Sequence, residues 1–173
     1  TLVPRLPMVL DRPIALDPPG FCITPFSVPG KVPLYAEKAE NPAEIMTNGE
    51  TIGLEITDGT ARALFIPGCA MMTDELRAHI QGADAVFFDG TLWTDDEMVR
   101  AGLGSKPGHR MGHMSLADQP DGTFCAFADL NVTRKILIHI NNSNPVLLAD
   151  STERQQAEAA GWEVAFDGMK VRL

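Results

Sequence analysis

The chain has 173 residues, 45% of them hydrophobic, 6% aromatic and 21% charged, with a formal net charge of −9. That is enough chain for one domain with a buried core, and the acidic balance argues against nucleic acid or an anionic membrane surface as the main partner. No apolar run reaches the roughly 18 residues that a membrane span needs, and Cys22, Cys69 and Cys125 are too few and too scattered for a disulfide framework or a zinc knuckle. A reducing, cytoplasmic setting is expected. The N-terminus lacks the apolar core of a signal peptide. It also lacks an initiator Met, so a start further upstream is expected.

Five prolines within residues 1–20 predict an extended lead-in and no helix. Residues 21–28 alternate and read as a strand, placed at a sheet edge because Pro25 cannot donate a ladder bond. Pro29-Gly30 is a turn, residues 32–35 a short strand, and residues 37–50 a polar surface loop. Residues 51–57 and 61–66 flank Asp58-Gly59, which is a hairpin signature. Thr73 caps a helix that ends near Gly82. Residues 85–89 form a short buried strand ending in Asp89. Thr94 and Glu97 have capping-box spacing and predict a second helix.

Residues 102–113 are rich in glycine and carry Lys106, His109, Arg110 and His113, as a mobile or ligand-wrapping loop would. Residues 114–116 are expected to start a helix, and residues 124–130 to form a buried one. The run Lys135-Ile-Leu-Ile-His-Ile-Asn-Asn-Ser-Asn-Pro145 reads as a buried strand followed by turn chemistry. Residues 150–160 form a capped helix stopped by Gly161, and residues 162–166 a last strand. Hairpins first and strand–helix alternation afterwards predict a single α/β layered sandwich with a mixed sheet, spanning residues 1–173.

Three positions stand out chemically: Asp89, His113 and His139. Two imidazoles and a carboxylate are a ligand set that suits zinc or non-haem iron. Each has a plainer reading. Asp89 could cap the turn at Gly90-Thr91, His113 could be an ordinary loop histidine, and His139 a core histidine bonded to backbone. His109 and Arg110 are either solvated or line a pocket for an acidic ligand. His79 reads as helix surface, and Cys69 as a small buried thiol that could approach the same site. Asn141 and Asn142 either orient His139 and bind substrate or satisfy the turn. There is no P-loop, no GxSxG, no HExxH and no dinucleotide-binding GxGxxG.

Several runs together resemble one family. They are Pro29-Gly-Lys-Val-Pro-Leu-Tyr35, Phe65-Ile-Pro-Gly-Cys-Ala70, Phe87-Phe-Asp-Gly-Thr-Leu-Trp-Thr-Asp-Asp-Glu-Met98, Arg110-Met-Gly-His-Met-Ser115, His139-Ile-Asn-Asn-Ser-Asn-Pro-Val-Leu-Leu-Ala-Asp-Ser151 and Ala160-Gly-Trp-Glu-Val-Ala-Phe-Asp-Gly-Met169. The chain is similar from about residue 12 onward to the pyrroloquinoline quinone (PQQ) biosynthesis protein B family. The resemblance implies a metallo-β-lactamase-like αββα sandwich, of which this chain would be the C-terminal half. The His-x-His-x-Asp-His ligand cluster of the first half does not occur here, nor does the family's cysteine-rich zinc motif.

By the same resemblance His139 is a metal ligand and His113 a second one. His113 and Asp89 are the candidate catalytic pair, and Asn141, Asn142 and Arg110 the candidate substrate-binding residues. Gly68-Cys69 stands where the fold often carries a bridging aspartate, which favours one metal over a dinuclear hydrolase centre. The implied reaction is iron-dependent hydroxylation, with dioxygen, of the tyrosine in a cross-linked Glu–Tyr precursor. Zinc is the alternative metal. The alternative functions are a carrier of the cofactor or its precursor to the periplasm and a hydrolase of the same fold. The expected partners are the small-molecule precursor and other proteins of the same biosynthesis. Alone, the chain is expected to be inactive and to leave a sheet edge exposed.

Overall fold

The computed structural model describes residues 7–16, 20–31 and 45–173. The strand expected at residues 32–35 and the first part of the loop expected at 37–50 lie outside the described residues. The strands are β1 (Ile14–Ala15), β2 (Cys22–Ser27), β3 (Gly30–Lys31), β4 (Ile45–Met46), β5 (Ile52–Thr57), β6 (Arg62–Ile66), β7 (Ala85–Asp89), β8 (Arg134–Ile138) and β9 (Trp162–Val164). The helices are α1 (Asp74–Ile80), α2 (Glu97–Arg100), α3 (Gly108–Met111), α4 (Thr123–Ala126) and α5 (Thr152–Ala159). Seven strands form one sheet in the order β1-β2-β5-β6-β7-β8-β9, and β3 pairs with β4 separately.

The sheet is mixed, as the element pattern predicts. The β1–β2, β2–β5 and β5–β6 ladders are antiparallel, and β6 through β9 are parallel. The β5–β6 hairpin closes at Asp58-Gly59. The Asp58 carboxylate accepts from the Ala61 and Thr60 backbone N–H groups. These bonds, that of Ala61 foremost, hold its carboxyl down at about 2. Gly59 supplies the positive φ of 89° that the turn requires.

Pro25 does not make β2 an edge strand, because β1 covers its far side over two residues. Pro25 is tolerated because its carbonyl accepts from Asp11 at 2.8 Å on that same side. Its missing N–H therefore faces away from β5, and the six-residue β2–β5 ladder is intact.

One face of the sheet carries the core. Leu64, Ile66, Val86, Phe88 and Leu137 alternate onto it and are fully buried. Leu76 and Ile80 of α1 press onto this cluster, as do Phe127 and Trp162. Phe88 meets Phe127 edge-on at 4.8 Å, and Phe127 meets Trp162 at 5.0 Å. Thr73 caps α1 by accepting from Leu76 N–H, and Ser151 caps α5 from Arg154 N–H, each an arrangement worth about 1 kcal/mol. The opposite face is apolar but half-open, with Ile56, Phe87 and Ile138 partly buried and Phe65 39% exposed.

Three helical expectations need correction. Residues 114–116 form no helix: Ser115 bridges Leu92 in parallel, and Met114 N–H and Leu116 N–H donate to the Cys69 and Leu92 carbonyls. Those long-range partners replace the i→i−4 bonds of a helix. The helix expected over 124–130 is a single turn, α4. Thr94 and Glu97 make no capping box, because the Glu97 carboxylate is buried and accepts from Trp93 N–H at 2.6 Å and from the Ser143 hydroxyl. It braces the loop after β8 and leaves α2 one turn long.

The parallel strands set up the rest. Ile66 pairs with Phe88, and Asp89 with Ile138, so β6, β7 and β8 finish at one level of the sheet. The chain segments that leave them converge at one end, where open α/β sheets gather their ligands. Replacing Phe88 by Ala should cost about 3–5 kcal/mol of stability. Urea unfolding followed by tryptophan fluorescence would measure this, and a loss below 1 kcal/mol would show that the aromatic cluster is not the core's anchor.

Candidate metal centre

Strand β7 ends in Asp89, where the chain leaving the parallel strands passes close against β8 and the next residue is glycine. A Cβ at Gly90 would stand 3.0 Å from the Ile138 carbonyl oxygen and 3.2 Å from Leu137 Cβ. Gly90 N–H instead donates to that carbonyl at 2.8 Å. Asp89 is thereby left fully buried at the sheet end.

A buried carboxylate is costly unless it is bonded. Asp89 accepts at Oδ1 from Thr91 N–H (3.1 Å) and the Thr91 hydroxyl (2.5 Å), and at Oδ2 from Cys69 N–H (3.1 Å). His113 Nδ1 lies 2.7 Å from Oδ2. Both sequence readings of Asp89 therefore hold together: it caps the turn at Gly90-Thr91 and also meets an imidazole.

His113 arrives from α3. Gly112 ends that turn in the left-handed region at φ 88°, and a Cβ there would stand 2.9 Å from the Lys31 side chain. His113 N–H then bonds the Gly108 carbonyl. His139 is the first residue beyond β8 and takes φ 53°, a conformation costing a non-glycine residue about 1–3 kcal/mol. Its Nδ1 lies 2.8 Å from Thr91 Oγ1 and 3.6 Å from Asp89 Oδ1. Its side chain is 54% exposed, so it is not a core histidine. The two imidazoles stack at 5.4 Å and 24°. Both Nδ1 atoms face the buried Asp89–Thr91 turn, and among the described residues no hydrogen bond engages either Nε2.

Burial alone would raise the Asp89 carboxyl, but the bonds from His113, His139 and Thr91 outweigh it and hold Asp89 below its ordinary range. The Asp89 carboxylate in turn holds His139 above the usual histidine range, against the effect of burial. Asp89, His113 and His139 each offer a ligand atom, all within 4.8 Å of one another. Two nitrogens and a carboxylate oxygen suit zinc or non-haem iron.

The remaining sequence candidates are placed as follows. The Cys69 thiol is buried and points to the Met71 carbonyl, and burial, with Asp89 nearby, pushes it far above its ordinary range. Only its backbone N–H serves the centre. Asn141 spends its amide on Ser143 and Met98, and Asn142 is exposed. Arg110 is half-buried with an unpartnered Nε. His109 pairs with Asp95 at 2.6 Å. His79 is half-buried against Phe26 instead of lying on the surface, and desolvation lowers its pKa.

Sequence reading passed over two residues. Thr91 touches Asp89 and both histidines. Asn144 is buried, donates to the Gly90 carbonyl and accepts from Val146 N–H, tying the β7 turn to the β8 loop. The Asp-x-Thr spacing is an Asx-turn signal that could have exposed Thr91. A cavity of about 300 Å³ opens beside His113, lined also by His109, Asp95, Ser115 and Asp118. It adjoins a second of about 540 Å³ that carries Met71, Met72 and Arg77.

A family model described as the beta-lactamase superfamily domain matches residues 2–140. Coenzyme PQQ synthesis protein B of Gluconacetobacter diazotrophicus is 65% identical over 176 residues, covering 99% of this chain and 57% of that protein. Its counterpart in Xanthomonas axonopodis pv. citri is 57% identical over 171 residues, covering 99% and 56%. The crystal structure of Zn2+-bound PqqB from Methylobacterium extorquens aligns with a TM-score of 0.88 at 47% identity, over 95% of this chain and 54% of that one. The chain thus spans about half the length of the curated relatives it matches. The fold is a metallo-β-lactamase fold with a mixed sheet and helices.

The electrostatics make a pH prediction. The raised His139 pKa contributes stability that is complete below the unfolded value of about 6.5 and is lost as pH rises through the folded value. The lowered Asp89 pKa contributes stability that is present above the ordinary carboxylate value and is lost as pH falls through the folded one. In Asp89→Asn the His139 pKa should fall, as read from the imidazole resonances in an NMR titration. An unchanged His139 titration would mean that the carboxylate is not its electrostatic partner.

Proposed function

This chain belongs to the beta-lactamase superfamily domain family, and we propose that it serves coenzyme PQQ biosynthesis as the C-terminal half of an iron-dependent hydroxylase. The observation that carries this reading is the meeting of Asp89, His113 and His139 within 4.8 Å at one sheet end. The near-complete match to PQQ synthesis protein B relatives supports the pathway, and the donor set supports a metal. The half-open apolar sheet face supports a domain completed by further chain.

His139 and His113 are the residues that would hold the ion, through the nitrogens left free of hydrogen bonds. A redox-active ion at this place supplies the activation of dioxygen that hydroxylation of a tyrosine ring requires, whereas zinc would supply only Lewis acidity. Asp89 holds the proton of His113 at Nδ1 and keeps that ring in place. Arg110 and Asn142, neighbours of His113 and His139 in the chain, are assigned to the carboxylates of the cross-linked Glu–Tyr precursor, and the cavity beside His113 to its body.

Two imidazoles, with Asp89 committed to hydrogen bonds on their buried side, hold a metal weakly. The remaining ligands are assigned to the part of the relatives' length that this chain does not span, so the chain alone should not turn over the precursor.

The test is metal content by mass spectrometry in a protein of the relatives' full length, with and without His139→Ala. Iron near one per protein, lost in the variant together with hydroxylation of the precursor, is the expected result. Metal content indifferent to His139, with the precursor still bound, would replace this reading by that of a carrier.

A further inference from the structure

We propose that Thr91 is a positioning residue of the centre: its hydroxyl fixes His139 in the tautomer that carries the proton on Nδ1, which leaves Nε2 as the ligand atom. The inference rests on the metal reading above for its purpose, but not for its geometry.

Thr91 Oγ1 has four polar neighbours. Asp89 Oδ1 lies at 2.5 Å, His139 Nδ1 at 2.8 Å, the His139 carbonyl oxygen at 3.1 Å and His113 Nδ1 at 3.2 Å. A hydroxyl has one hydrogen and two lone pairs, so it can satisfy only one acceptor. The shortest contact is to a fully buried carboxylate, and a charged acceptor at that distance outcompetes a carbonyl 0.6 Å further away. The hydrogen therefore points to Asp89, and a lone pair faces His139 Nδ1.

A bare nitrogen there would set lone pair against lone pair, so Nδ1 must carry a hydrogen and donate. His113 settles in the same way, because its Nδ1 is 2.7 Å from Asp89 Oδ2 and donates to the carboxylate. One Asp-Gly-Thr turn thus sets both rings alike. Asp89 serves His113 directly and serves His139 through Thr91. This is the arrangement in which an outer partner fixes the tautomer and orientation of a ligating imidazole.

The position is suited to the task. Thr91 is only 9% exposed, and its β-branched side chain is stiff about χ1. Its backbone is held at both ends, since N–H donates to Asp89 and the carbonyl accepts from Asn141 N–H. The hydroxyl therefore has little freedom to follow His139 if that ring turns. His139, whose side chain is 54% exposed, meets in Thr91 a partner that holds its ring from the buried side.

The test uses the metal-free chain and two variants, the isosteric Thr91→Val and the hydroxyl-keeping Thr91→Ser. Nitrogen-15 NMR of the histidine rings at about pH 9, where imidazoles are neutral, reads the tautomer directly. Wild type and Thr91→Ser should show His139 protonated on Nδ1, and Thr91→Val should show a mixture or the other tautomer. Zn2+ titration of the same variants in a protein of the relatives' full length should show a loss of about 10–100-fold in affinity for Thr91→Val and little change for Thr91→Ser.

Two results would overturn the proposal: a His139 proton on Nε2 in wild type, or a Thr91→Val spectrum and Zn2+ affinity matching wild type. If Thr91→Val fails to fold, the wild-type and Thr91→Ser spectra still decide the first point. The expected tautomers with no Zn2+ bound even in a protein of the relatives' full length would leave the positioning role standing and sink the metal reading instead.

Discussion

A single buried carboxylate organises this end of the molecule. Taking Asp89 out of water costs several kcal/mol unless its lone pairs are satisfied, and every donor that satisfies them comes from a different stretch of chain. Cys69 contributes a backbone N–H from beyond β6, Thr91 a backbone and a hydroxyl group from the turn after β7, and His113 a ring nitrogen from the end of α3. Removing any one of them would expose the charge to an unbalanced desolvation penalty. The requirement to bury and bond Asp89 is therefore also the requirement that draws the histidines together.

The sheet makes this convergence cheap. Strands β6, β7 and β8 are parallel and end at the same level, so the connections that leave them meet without long excursions. Gly90 lets the chain cross against Ile138 and Leu137 where a side chain would be tightly crowded. Asn144 then ties the two crossings together through the Gly90 carbonyl. The centre is built mainly by backbone-held turns at strand ends, with the aromatic core of Phe88, Phe127 and Trp162 beneath the sheet as its rigid base.

The polarity of the site follows from the same arrangement. The buried side of each imidazole faces hydrogen-bond acceptors, and among the described residues no hydrogen bond engages its other nitrogen. Asp89 stays ionised despite its burial because donors surround it, and its charge is what makes His139 more basic. The bonds that make a satisfied turn also leave the Nε2 atom of each histidine without a hydrogen bond among the described residues.

Much of this was legible in the sequence. The β5–β6 hairpin, α1 and α5 follow from alternation, turn residues and caps, all of which act within a few residues of chain. Asp89, His113 and His139 could be singled out because each closes an apolar strand or follows a glycine, and family resemblance joined them. What local pattern could not decide was everything set by partners far along the chain. Residues 114–116 are not helical because their donors find Cys69 and Leu92, and Glu97 leaves its capping box for Trp93 and Ser143. Thr91 looked like an ordinary turn residue because its partners His113 and His139 lie 22 and 48 residues away. The sequence by itself marked the longer strands, the tight hairpin turn and the side chains with metal-ligand chemistry, since those depend on short-range sterics and chemistry, but not the two-residue strands β1, β3 and β4. Only the tertiary structure decided which of them meet and which nitrogen each ring presents, since that depends on where parallel strands end and on a buried charge that must be satisfied.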